Sequence, residues 1–182
     1  MSRLLDHYHN QVMSDLQSQF GIHNVHQTPQ LEKIVLNVGA GRAIQDSRML
    51  DTAVNTLRKI TGQQPVKTVA KHSVAGFKLR QGQPIGAKVT LRGDRMYEFL
   101  DRLITVVLPR TRDFRGLSGA SFDPDGNYSL GIADQSVFPE LSYEDCQLTH
   151  GMQVNIITNS NAEQSYALLS AFGLPFERSD RG

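Results

Sequence analysis

Residues 84–108 read PIGAKVTLRGDRMYEFLDRLITVVL, and along this stretch the hydrophobic period changes from two to three-and-four. Ala87, Val89 and Leu91 alternate with Lys88, Thr90 and Arg92, which describes a strand with one apolar and one basic face. From Met96 onward the apolar residues recur as Met96, Phe99, Leu100, Leu103, Ile104 and Val107. That spacing predicts an amphipathic helix, which Pro109 should stop because its ring removes an N–H and clashes with the preceding turn. The basic face of the strand has nothing apolar to bury, so it is available to a ligand.

The same two periods organise the rest of the chain. Leu4, Leu5, Tyr8, Val12, Leu16 and Phe20 predict a first helix closed by Gly21, and Leu50, Ala53, Val54, Leu57 and Ile60 a second ending before Gly62. Lys33 to Val38 alternates, with Ile34, Leu36 and Val38 on one face and Lys33, Val35 and Asn37 on the other. Val66 to Ala70, Tyr128 with Leu130 and Ile132, and Val154 with Ile156 supply further strands, and a last helix runs from about Ala162 to Phe172. Strands and helices are interspersed without a βαβ rhythm. The expected class is α+β, with a mostly antiparallel sheet of four or five strands and helices on one face.

Between Lys71 and Gln83 the period is lost, and Gly76, Gly82 and Pro84 punctuate the stretch, so a long loop is expected. Folded back on itself it could reach roughly 20 Å, at about 3.3 Å per residue. It combines cations (Lys71, Lys78, Arg80), small residues such as Ser73, and one aromatic, Phe77, able to stack on an unpaired base.

Charge is distributed unevenly. Residues 58–115 hold thirteen bases against four acids, a net of +9, and the remainder of this nearly neutral chain carries −8. Because phosphate contacts depend on local cation density, this asymmetry favours a polyanionic partner. Residues 116–182, with two bases and nine acids, should be avoided by RNA. The length of 182 residues suits one domain, no stretch approaches a membrane span, and the single Cys146 suits a reducing cytosol.

Catalytic and metal motifs are weak. Gly39-Ala40-Gly41 follows a strand, but Ile44 stands where a dinucleotide-binding fingerprint needs a small residue, and Gly116 to Gly119 reads as a turn. His23 and His26 lack further ligands at diagnostic spacing, and Cys146 with His150 lacks the rest of a nucleophilic site. Surface histidines and a buried cysteine account for them. No enzyme, metal or cofactor is expected.

Residues 69–119, with EKIVLNVG at 32–39, ITGQQPV at 60–66, SFDPDGNYSLGIADQSVFPEL at 121–141 and FGLPF at 172–176, resemble the bacterial large-subunit ribosomal protein five family nearly end to end. The resemblance implies a curved antiparallel sheet in a single domain over residues 1–182, with a protruding basic loop at about 71–83 and a flexible tail after 176. It also implies a structural, non-catalytic role in the large ribosomal subunit. Asn37, Gln63 and Thr90, supported by Lys88 and Arg92, match the family's 5S rRNA contacts. Lys71, Ser73, Phe77, Lys78 and Arg80 match a loop facing P-site tRNA. Arg110 and Arg112, with Asp134, Glu140, Glu144 and Asp145, lie where the family meets a protein of the small-subunit head. Large-subunit rRNA and other proteins of the central protuberance are further implied partners. Asp125 and Ala133 stand where family members often carry arginine, which shifts that region toward a basic protein partner.

Overall fold

The computed structural model describes residues 2–41, 47–112 and 114–177. Asp113 and most of the expected tail, residues 178–182, lie outside them. Five strands form one sheet in the order β2-β3-β1-β5-β4: β1 Leu31–Gly39, β2 Val66–Val69, β3 Pro84–Leu91, β4 Tyr128–Ile132 and β5 Met152–Thr158. β2 and β3 are antiparallel, and the bonds from Ala40 N–H to the Ile85 carbonyl and from Asn159 N–H to the Gln30 carbonyl give β1 the same sense against β3 and β5. The helices are α1 Arg3–His7, α2 Met13–Phe20, α3 Ser47–Thr61, α4 Gly93–Arg102, α5 Leu108–Arg110 and α6 Ala162–Ala171. The α+β class read from the two periods is the observed one.

The chain divides into two compact units. The first comprises Met1–Ile34, Leu91–Leu130 and Asn155–Gly182, the second Val35–Thr90 and Gly131–Val154. In the first, α1 packs on α4 and α2 on α6, burying Leu4, Leu16, Met96, Leu100, Leu168 and Leu169. Tyr8 is buried to 3% exposure, its ring against Phe172, and its hydroxyl donates to the Pro29 carbonyl at 2.9 Å. Burial pushes the Tyr97 phenol, which also meets Phe172, up to about 12, so it stays neutral as a core aromatic. In the second unit, Leu50, Ala53, Val54, Leu57 and Ile60 form the buried stripe of α3, while Leu36, Val38, Ala87 and Val89 are the buried faces of β1 and β3.

Two features were not legible in the periodicity. Tyr8–Val12 joins α1 to α2, and Leu103–Val107 joins α4 to α5, as π-helical turns. The second lets the helix pass Pro109, which sits in the opening turn of α5, so the rod ends at Arg110 rather than before the proline. The FGLPF motif is a packing device. Phe176 meets Phe122, Tyr128 and Tyr166 at ring-centroid distances of 5.8, 5.6 and 4.6 Å, and Leu117 clasps the segment by donating to Pro175 and accepting from Glu177.

Gly126 fixes the FDPDG turn. It has φ +78°, and a Cβ there would fall 1.9 Å from the Ser160 carbonyl oxygen. Thr158 Oγ1 also donates to its carbonyl at 3.0 Å, so the backbone cannot shift away without losing a buried bond. We expect Gly126→Ala to destabilise the protein by more than about 2 kcal/mol, read as a drop in chemical-denaturation midpoint.

Candidate nucleic-acid interface

An antiparallel sheet with helices on one face leaves the side chains of the other face without a protein partner. In the second unit that face presents Asn37 from β1, Thr68 from β2, Lys88 and Thr90 from β3 and Gln153 from β5. Each alternates with a buried neighbour or pairs with a residue that does. Val66, paired with Lys88, shares the face and is 61% exposed. No carboxylate lies on the strand residues of this unit. Among the described residues, the side chains of Asn37, Lys88 and Thr90 make no hydrogen bond or ion pair. Gln63 sits in the turn that closes α3, where its backbone exchanges bonds with the Thr61 hydroxyl while its side-chain amide is left unused. Arg92 follows β3 directly and is exposed, but it belongs to the first unit.

The segment between β2 and β3 is more ordered than its lost period suggested. Val74 and Leu79 exchange backbone bonds of 2.9 and 3.1 Å across a short 3-10 turn, Ala75–Phe77. At the base, Ala70 donates to Gln83 and Gly82 to Ala70, both at 2.9 Å. The stretch is therefore a hairpin arm, not an open loop. Ser73 is part of its frame, since its Oγ accepts from Gln81 N–H at 2.9 Å. Lys78, with φ +53°, is the non-glycine residue held left-handed among the described residues, at a cost of about 1 kcal/mol or more. Phe77 stands 75% exposed at the tip, with Lys71, Lys78 and Arg80 exposed around it and not ion-paired to any described residue.

Residues 24–80 match the family model described as Ribosomal protein L5, and residues 84–176 the one described as ribosomal L5P family C-terminus. The chain is 52% identical over 178 residues to the large ribosomal subunit protein uL5 of Francisella philomiragia, covering 97% of this chain and 99% of that protein. It is 51% identical over 179 residues to the uL5 of Colwellia psychrerythraea, covering 98% and 99%. The chain belongs to the ribosomal protein L5 family.

Within this L5 chain the acidic residues have mostly local work. Both oxygens of Asp145 take the Lys59 ammonium, at 2.7 and 2.6 Å, and Oδ2 also accepts from the Ser142 N–H and hydroxyl in a capping box. The Lys59 and Ser142 bonds hold its carboxyl down to about 2. Asp134 accepts from Ser136 N–H at 2.8 Å, and Asp123 from both the backbone and the amide of Asn127. Asp145 is thus internally committed, whereas Glu144 beside it is exposed and Tyr143 is 88% exposed. Glu140 is half-buried. Arg110 and Arg112 are exposed in the first unit.

Gln135 of the IADQ motif is fully buried, donating to the Leu148 carbonyl and accepting from His150 N–H at 2.7 Å. His150 is buried with its ring pKa pushed down by desolvation, and Cys146 is half-buried with its thiol pushed up by burial and by Asp134 and Asp145. A raised thiol pKa opposes nucleophilic use. His23 and His26 are exposed.

Sequence reasoning missed Gln153 and Thr68, and in the first unit Ser129 with Asn155, which bond each other at 3.0 Å. The signal was present: Gln153 and Asn155 alternate with Val154 and Ile156, just as Asn37 alternates with Leu36 and Val38.

Asp145→Ala is expected to destabilise the protein at pH 7, by about 1 kcal/mol, through loss of the Lys59 pair and of its half of the capping box. Because its carboxyl lies below the ordinary 3.8, the stabilisation is complete above about pH 4 and disappears as pH falls through about 2. Thermal melts of the two proteins should therefore converge at the acid end.

Proposed function

We propose that this chain, a structural and non-enzymatic protein of the large ribosomal subunit, binds 5S rRNA through the open sheet face of its second unit. The observation that carries this reading is the set Asn37, Lys88 and Thr90. These are an amide, an ammonium and a hydroxyl on neighbouring strands, unpaired among the described residues, on strand segments of the second unit that carry no carboxylate. Such groups suit the phosphates, 2′-hydroxyls and base edges of RNA. Gln63 of the same unit adds to the contact, Arg92 in the first unit offers RNA a separate cation, and the protein works in the cytoplasm as part of the ribosome alongside large-subunit rRNA and the neighbouring proteins of the central protuberance.

The arm is proposed to meet the elbow of P-site tRNA. Its backbone bonds hold Phe77 outward, so the ring is presented for stacking on a base or ribose while Lys71, Lys78 and Arg80 approach phosphates. For the small-subunit head, exposed Tyr143 and Glu144 in the second unit and, separately, Arg110 and Arg112 in the first are the better candidates. Asp145 is occupied by Lys59, Asp134 by its turn, and Glu140 is half-buried.

Replacing Asn37 and Thr90 together by Ala should weaken 5S rRNA binding by about 1–3 kcal/mol while leaving the melting temperature unchanged, since neither side chain has a role in the core. Equal affinity in filter binding would remove the face from the assignment. Phe77→Ala should speed tRNA dissociation from the P site, by up to the about 1–3 kcal/mol expected of one stacked base, without reducing incorporation into large subunits. A dissociation rate equal to wild type would assign the arm to another partner.

A further inference from the structure

On the open sheet face of the second unit, three glycines from three neighbouring strands form a depression of about 550 Å³. Gly39 ends β1, Gly151 precedes β5 and Gly131 lies within β4, and the amide side chains of Asn37 and Gln153 also line it. Glycine inside a strand weakens it and commonly marks close approach by a ligand or another backbone. The fold does not explain Gly39 or Gly131. Neither has a left-handed φ, and a Cβ at either would meet nothing within 4 Å. Gly151 does pack closely, since a Cβ there would lie 3.1 Å from the Ile132 carbonyl oxygen.

We infer that this depression seats one unstacked nucleobase of the RNA bound on the sheet face, its ring over the glycine backbone and its edge read by the amides of Asn37 and Gln153. The inference rests on the proposed RNA-binding role and goes beyond it in naming a base-specific subsite. Each amide offers a donor and an acceptor side by side, the pattern needed to pair with a base edge. Among the described residues neither side chain is engaged by another group. With Lys88 as a cation on the same face and no acid on the strand residues of this unit, the surroundings complement an RNA strand. A side chain larger than hydrogen at position 39 or 131 would occupy the space the ring needs.

The test uses the full chain and 5S rRNA. Gly131→Val, a substitution that a strand tolerates, and Gln153→Ala, at an exposed position, are each compared with wild type by thermal melting, filter binding and base-reactivity footprinting with dimethyl sulfate and kethoxal. Gly131→Val is expected to lower affinity about tenfold or more, as loss of a seated base with its two amide contacts would. In the wild-type complex one base that is unpaired in free RNA should be protected at its pairing edge, and that protection should vanish in both variants. Wild-type affinity and an unchanged footprint in Gln153→Ala and in folded Gly131→Val, alongside weakened binding by the Asn37 and Thr90 substitutions, would overturn the base seat and leave the RNA-binding role standing. If Gly131→Val fails to fold, its tolerance has been misjudged and Gln153→Ala alone decides by the same footprint. Unchanged binding in all of these variants would overturn both.

Discussion

A sheet covered on one face only is the constraint from which the rest of this structure follows. Its covered face must be apolar, and Ile34, Leu36, Val38, Val89, Leu91, Val154 and Ile156 are each exposed by 3% or less. The open face cannot be apolar without inviting aggregation, and in a free-standing protein it would usually be filled with mixed charge. In the second unit it carries amides, hydroxyls and a lysine beside the exposed Val66, with glycines where bulk could have been accommodated. That choice sacrifices strand propensity at Gly39 and Gly131. It makes sense if a polar, flat-ringed and phosphate-bearing partner covers the surface for most of the protein's life.

The arm obeys a related logic. A cation-rich loop left to itself is held open by repulsion and by entropy, and ordering it on a ligand would reduce the affinity it could provide. The Val74–Leu79 bridge, the Ser73 and Gln83 side-chain bonds and the paired base at Ala70 bear part of that ordering cost within the protein. What remains free is what a ligand can use: the Phe77 ring and three cationic heads. The left-handed Lys78 is part of the same arrangement, because the 3-10 turn that turns Phe77 outward ends there.

The sequence was legible where a single period dominates. The strand at 84–91, the strand at 31–39 and the stripes of α3 and α4 could be placed from alternation and three-and-four spacing alone, and with them the polar faces of Asn37, Lys88 and Thr90. It was illegible where structure depends on contacts distant along the chain or on backbone conformations that side-chain type does not announce. Nothing near Asp145 foretells its pair with Lys59, eighty-six positions away, so an acid counted as surface charge is an internal tie. Nothing in Lys78 announces a positive φ, which is why a hairpin arm read as a loop. The π turn before Pro109 belongs to the same class, since the rule that proline stops a helix assumes that the preceding turn is α-helical.

The charge asymmetry that first pointed to nucleic acid also requires correction from the geometry. Of the thirteen bases between residues 58 and 115, Lys59 is tied to Asp145 and Lys67 to Asp51, while Arg92 and those beyond it belong to the first unit. Of these thirteen, the second unit keeps Arg58, Lys88 and the arm's Lys71, Lys78 and Arg80 for a partner. On the proposed reading, so few free cations would not hold RNA by counterion release alone, because each phosphate neutralised needs its own cation. The affinity of the proposed contact would then come in good part from directed bonds made by uncharged groups, whose strength depends on placement rather than on charge density. The rigid sheet supplies that placement: Asn37, Thr90 and Gln153 are fixed by strands whose opposite faces are locked in the core, so the packing that makes the fold stable is also what positions the face for recognition.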